Sequence, residues 1–118
     1  MEVNAMFRAT TPLHTFTFPD DPATYKKILI TYSQNGNVVF EKTEADLTFT
    51  TETEEERTIY KGSLRLTQEE ANTFSVGKCT SVAAVQVRVL DANDHAYASD
   101  IKFVNVKDVL DDQVLVDE

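Results

Sequence analysis

The sequence predicts an all-β fold built from short antiparallel strands. Segments rich in β-branched and aromatic residues recur about 8–14 residues apart, each closed by turn residues. Only one segment, 67–74, carries helix-start signals. Seven such strands in about 100 residues is the count of an immunoglobulin-like sandwich. The expected architecture is therefore a seven-stranded antiparallel immunoglobulin-like β-sandwich with one short helix between strands five and six. The Cys…Trp…Cys signature of antibody domains is absent, because the chain has no Trp and a single Cys.

The strands are justified in order. After residues 1–12, which carry no clear pattern beyond an extended Thr10-Thr11-Pro12, residues 13–18 alternate. Phe16 and Phe18 share a face with His14, and Leu13, Thr15 and Thr17 take the other. Pro19-Asp20-Asp21-Pro22 ends this strand. Residues 25–42 form a hairpin around Gln34-Asn35-Gly36. A two-residue Asn-Gly loop sets Tyr32 against Val39 and Ile30 against Glu41, an apolar residue opposite a carboxylate. A three-residue loop with Gly36 left-handed in a bulge sets Tyr32 against Val38, Ile30 against Phe40 and Ile28 against Lys42. The three-residue loop is the expected one, leaving Thr31, Ser33, Val39 and Glu41 toward solvent.

Leu47 and Phe49 point inward from the next strand, and the acidic run at 52–56 is placed at a solvated hairpin tip. The returning strand puts Tyr60, Leu64 and Leu66 on one parity, with Gly62 marking a bulge. Thr67 and Glu70 match a capping box, and the short helix needs packing through Ala71 or Phe74. Gly77 punctuates its exit. Val85, Val87 and Val89 face in from the sixth strand while Gln86 and Arg88 face out. Residues 96–106 form the last strand, with Ile101 and Phe103 on one face. The domain is expected to span residues 1–107, followed by an acidic C-terminal tail at 108–118 that mixes acids with Val and Leu. Such a tail carries more aliphatic residues than a disordered segment needs, so packing on its own domain is favoured over edge-strand addition or docking on a partner.

At 118 residues, 42% hydrophobic and 26% charged, the composition is that of one soluble globular domain. The net charge of −9 argues against nucleic acid and anionic membrane surfaces, which select Lys and Arg clusters, and fits solubility or a basic partner. With Cys79 alone, no intrachain disulfide can form. No apolar run approaches the roughly 18 residues that span a bilayer. The first six residues have neither a basic nor an apolar signal region, so cytoplasmic synthesis is expected.

Several stretches together carry a resemblance. They are Arg8-Ala9-Thr10-Thr11-Pro12-Leu13-His14-Thr15-Phe16, Lys27-Ile28 with Thr31-Tyr32-Ser33-Gln34-Asn35-Gly36, Leu66-Thr67-Gln68-Glu69-Glu70, Gln86-Val87-Arg88-Val89-Leu90, Ala98-Ser99-Asp100-Ile101 and Leu110-Asp111-Asp112-Gln113-Val114-Leu115. In that order and spacing the chain resembles small proteins encoded near the tail genes of phages and prophages of Gram-positive gut bacteria. It is distantly similar to the N-terminal immunoglobulin-like domain of phage baseplate upper proteins. The acidic stretch at 52–56 and residues 76–81 depart from the pattern. The resemblance implies a structural or assembly protein of a tail or baseplate, made in the bacterial host cytoplasm. Its partners would be other tail or baseplate proteins, with self-association and incorporation in the virion left open. A sandwich module binding carbohydrate or a cell-surface ligand is the alternative. It is disfavoured because Trp is absent and most Phe residues fall on inward parities.

No catalytic, cofactor-binding or metal site is expected. His14 and His95 lie far apart in sequence without other ligand-type neighbours, so structural or exposed roles are favoured. Cys79 beside Lys78 is read as a loop thiol rather than a nucleophile. Asp91, Asn93 and Asp94 offer oxygen ligands at short spacing, but an Asp/Asn-rich turn accounts for them without calcium.

Overall fold

A computed structural model describes residues 5–76, 81–111 and 113–117. Among them nine strands lie in two sheets: β1 (Ala5–Phe7), β2 (Leu13–Phe18), β3 (Lys27–Gln34), β4 (Asn37–Thr43), β5 (Thr48–Glu54), β6 (Arg57–Arg65), β7 (Ser81–Leu90), β8 (Ala96–Ala98) and β9 (Lys102–Lys107). The larger sheet runs β1-β9-β7-β3-β4, with β8 also pairing β7, and the smaller runs β2-β6-β5. The fold is thus mostly β, with its core between the two sheets. The strand count and direction differ from expectation. Nine strands replace seven, and the larger sheet is mixed because β1 runs parallel to β9. The short helix α1 (Gln68–Asn72) stands between β6 and β7, the place expected for it. The expectations for Gly77 and Cys79 lie outside the described residues.

The core is built by alternation. Ile28, Ile30 and Tyr32 of β3, Ala83 and Val85 of β7, and Val104 and Val106 of β9 meet Phe18 of β2 and Leu64 of β6. Gly62 is not a bulge, since β6 keeps register with β2 and β5 on both sides of it. It makes room for two aromatic rings: a Cβ there would stand 2.9 Å from Phe18 Cε2 and 3.2 Å from Phe49 Cε1. Phe49 packs on this site yet stays partly exposed on edge strand β5.

The β3–β4 hairpin differs from the expected register. Gln34 pairs with Asn37 and Ser33 with Val38, so the loop is the two-residue Asn35-Gly36. Both residues have positive φ, 54° and 79°, as a type I′ turn requires and Asn-Gly readily adopts. The bulge lies one step further along. Beyond it Tyr32 faces Phe40 and Ile30 faces Lys42, with Val39 as the extra residue. Apolar still meets apolar, because the Tyr32 and Phe40 ring centroids are 4.8 Å apart. The two-residue turn sets Val38 opposite Ser33 on the outer face, 62% exposed, and the bulge leaves Val39 partly buried against the core.

A second slip divides the predicted last strand. Arg88 pairs with Ala98 on β8, whereas Ala84 pairs with Phe103 on β9, one residue beyond the β8 register. Ser99 occupies the break. Its N–H donates to Val87 O at 2.8 Å, and its Oγ accepts from Val87 N–H at 3.0 Å. A side-chain oxygen thus takes a place in the ladder. A one-residue slip exchanges the two faces of a strand, so Val104 and Val106 are buried while Ile101 and Phe103, the latter 58% exposed, face solvent.

The capping box forms as expected. Glu70 N–H donates to Thr67 Oγ1 at 3.1 Å, and Thr67 N–H donates to Glu70 Oε1 at 2.9 Å. Ala71 of the helix and Phe74 just beyond it are buried. The acidic run forms a hairpin tip, with Glu55 and Glu56 in the turn between β5 and β6.

Candidate functional site

The polar groups singled out by sequence are placed separately. His14 is carried by β2 into the inter-sheet space, where its Nδ1 lies 2.6 Å from the Tyr32 hydroxyl. Burial lowers the His14 pKa and raises that of Tyr32, so both are neutral at pH 7. His95 sits in the exposed β7–β8 turn, with Nδ1 3.6 Å from Asp91 Oδ2. Asp91 Oδ1 accepts from the N–H groups of Asn93 and His95 at 2.8 and 2.9 Å. The amide of His95, ahead of that of Asn93, holds the Asp91 carboxyl below its usual range. Asp94 pairs with Lys26 at 2.6 Å. Turn geometry therefore accounts for these acids. Among the described residues no three His, Cys, Asp or Glu side chains gather as a metal site, and no helix is long and apolar enough to cross a membrane.

What the surface presents instead is apolar. Phe103, Ala84, Ser33 and Val38 are successive cross-strand partners on β9, β7, β3 and β4. They form one row across the outer face of the larger sheet, with an exposed apolar side chain at each end. Val82, two residues before Ala84, adds a third exposed apolar side chain to this face.

A groove of about 760 Å³ opens at the sandwich edge, with aromatic walls from Tyr25, Phe49 and Tyr60. Asp21 and Glu44 contribute carboxylates to it. Asp21 caps the 3-10 turn Pro22–Thr24 by accepting from Ala23 N–H. Glu44 Oε2 accepts from Ile28 N–H at 3.1 Å. Backbone hydrogen bonds from its own amide and from Ile28 hold the Glu44 carboxyl below the usual range. Desolvation, followed by the nearby Asp20 charge, raises the Tyr25 phenol.

Comparison with known proteins finds no matching family model, curated protein or solved structure.

The tail meets its own domain at both ends of its described length. Arg8 Nη1 donates to Asp108 Oδ1 at 3.1 Å. The Gln68 side chain pairs with the Leu115 backbone in both directions, at 3.0 and 2.7 Å. These contacts tie the tail to its own domain at two points. Leu115 and Val116 nevertheless remain 77% and 71% exposed. The exposure of Phe103 and Val38 departs from the expectation: Phe103 follows from the slip between β8 and β9, and Val38 from the two-residue turn that replaces the expected three-residue loop. The pairing of Ser99 Oγ with Val87 N–H is the local event behind the first, and a serine flanked by Ala98 and Asp100 was its only sequence signal.

Proposed function

We propose that the chain is a non-enzymatic structural or assembly protein of a phage or prophage tail or baseplate, built on an immunoglobulin-like sandwich and acting through protein–protein contacts. The observation that carries this reading is the row on the larger sheet. Exposed apolar residues gathered on one face mark contact surfaces in soluble proteins, and here the two-residue Asn35-Gly36 turn sets Val38, and the slip between β8 and β9 sets Phe103, outward onto the same row. The resemblance to tail-region proteins supplies the setting.

Strand order supports the immunoglobulin-like part. The series β9-β7-β3-β4 follows a G-F-C-C′ sheet, and β2-β6-β5 follows B-E-D. Tyr32 on β3 is buried where such sandwiches carry their central Trp on strand C. His14 on β2 of the facing sheet meets the Tyr32 hydroxyl across the core at 2.6 Å.

Deleting the gene from the phage or prophage and imaging the particles tests the reading. Tailless or incomplete particles and loss of plaques are expected, restored by the wild-type gene. Restoration to the same level by a Val38→Lys, Phe103→Lys variant that folds normally contradicts the role given to the row.

The carbohydrate or cell-surface ligand alternative is favoured by one observation, the groove walled by Tyr25, Phe49 and Tyr60 with two carboxylates. Aromatic faces with nearby acceptors suit a sugar ring. Glycan-array binding abolished by Phe49→Ala promotes it, and an empty array removes it.

A further inference from the structure

We infer that the chain self-associates head to tail, with the C-terminal tail of one copy seated in a basic, apolar groove of the next. The inference deepens the contact-based reading above by naming one partner and its surface. Its test uses purified protein alone, so either can fail without the other.

The groove lies on the outer face of the larger sheet, at the end of β7 that carries Leu90. Its volume is about 300 Å³. Leu29 and Arg88 are cross-strand partners there, as are Lys27 and Leu90, and Ala98 and Ala96 continue the two rows on β8. Leu29, Leu90 and the two small alanines make an apolar floor, and Lys27 and Arg88 supply its charge. Lys27 Nζ is 3.8 Å from Glu44 and remains about half exposed. Arg88 makes no ion pair among the described residues. In a chain of net charge −9, this is a cationic site looking for an anionic, aliphatic occupant.

The tail has that chemistry. Residues 107–118 carry five acids against one base, interleaved with Val and Leu. It is also displayed in a fixed place. Gln68 holds the Leu115 backbone by two hydrogen bonds while the Leu115 and Val116 side chains face solvent. Part of the ordering entropy that a free tail would lose on docking is therefore already spent.

With Leu115 held by Gln68, tail and groove lie at opposite ends of one molecule. β9 is antiparallel to β7, with Val106 opposite Ser81, so the tail leaves beside the first residue of β7. The groove surrounds the last, roughly 30 Å away at the usual strand rise, in a molecule whose longest extent is 45 Å. Two complementary and different surfaces at opposite ends make a heterologous contact, which builds rings or filaments rather than closed two-fold dimers.

Sedimentation velocity across a concentration series of the full chain tests this, with two variants checked for native unfolding. Arg88→Glu disables the groove; Leu115→Asp with Val116→Asp disables the tail and leaves the backbone clamp to Gln68 in place. The wild type should grow through dimer to larger species. Each variant alone should associate at least tenfold more weakly. An equimolar mixture of the two should recover a dimer and stop there, since it holds one intact tail–groove pair. A wild type that stays monomeric at every concentration, variants that associate as well as wild type, or a mixture that stays monomeric each overturn the inference.

Discussion

His14 Nδ1 lies 2.6 Å from the Tyr32 hydroxyl, a hydrogen bond that joins β2 of the smaller sheet to β3 of the larger one inside the core. The two rings also stack, with centroids 5.6 Å apart. Tyr32→Phe leaves a half-buried nitrogen without this partner, at a cost of about 1–3 kcal/mol. Urea denaturation should show that loss with an unchanged slope. Adding His14→Phe to Tyr32→Phe should recover part of it, because both polar partners are then gone. Equal stability of Tyr32→Phe and wild type contradicts the role given to the bond.

The same pair sets a pH dependence. Burial holds the His14 pKa below its ordinary 6.5, so as pH falls the unfolded chain binds this proton first. The stability contribution is complete above 6.5 and declines as pH drops below it toward the folded value. Glu44, Glu70 and Asp91 titrate below ordinary values of 4.5, 4.5 and 3.8, so their contributions disappear only in more acid solution. For Glu70, burial alone would raise the pKa, but hydrogen bonds from Lys42 and Thr67 outweigh it. Unfolding free energies measured between about pH 7.5 and 5 should fall with a slope of at most about 1.4 kcal/mol per pH unit from this one proton. His14→Gln should flatten that slope. An unchanged slope in the variant places the titration elsewhere.

Gly62 is required by its neighbours rather than by its backbone. A methyl group there meets the Phe18 ring at 2.9 Å and the Phe49 ring at 3.2 Å. Gly62→Ala should destabilise by about 1–3 kcal/mol through overpacking. Phe18→Leu, costly in the wild type, should cost less in the Gly62→Ala background. Additive losses in a double-mutant cycle would show that the rings are not the obstacle.

The tip of the β5–β6 hairpin holds two non-glycine residues in the left-handed region, Glu55 at φ 50° and Glu56 at φ 62°. Such residues cost on the order of 1–2 kcal/mol each, and three acids crowd the same tip. Glu55→Asn with Glu56→Gly should stabilise the domain by about 1 kcal/mol, since Asn-Gly suits a type I′ turn. The thermal midpoint should rise by a few degrees, about 4 °C or more. A lowered midpoint contradicts the assignment of strain.

Two glutamines act as backbone mimics. Gln34 pairs with Ser75 in both directions at 2.7 Å, and Gln68 pairs with Leu115 in the same manner. Gln34 is buried and Gln68 lies near the surface. Gln68→Ala should therefore speed amide exchange at Leu115 while leaving global stability within about 0.5 kcal/mol. Unchanged exchange at Leu115 contradicts the clamp.

What was legible in the sequence follows from how local each cause is. The alternation at 13–18, the Thr67–Glu70 capping box and the inward Val85, Val87 and Val89 depend on neighbours a few residues away, and the structure reproduces them. The β3–β4 register did not follow, because Asn35-Gly36 favoured the short turn while apolar matching favoured an offset. The chain satisfied both with a bulge at Val39 in mid-strand. The outward turn of Phe103 depends on Ser99 Oγ entering the ladder beside Val87. The parallel strand β1 was illegible, since three residues have no period and their partner lies on β9. The candidate surface arose from the short Asn35-Gly36 turn and the β8–β9 slip, which is why apolar matching and parity alone pointed inward.

Mass spectrometry of phage particles induced from the strain that carries the gene tests the proposed tail or baseplate role most directly. A tail or baseplate protein should appear in the particles, or in their assembly intermediates, at a fixed ratio to other tail proteins. Its absence from both, with normal particles formed by the deletion strain, contradicts the account.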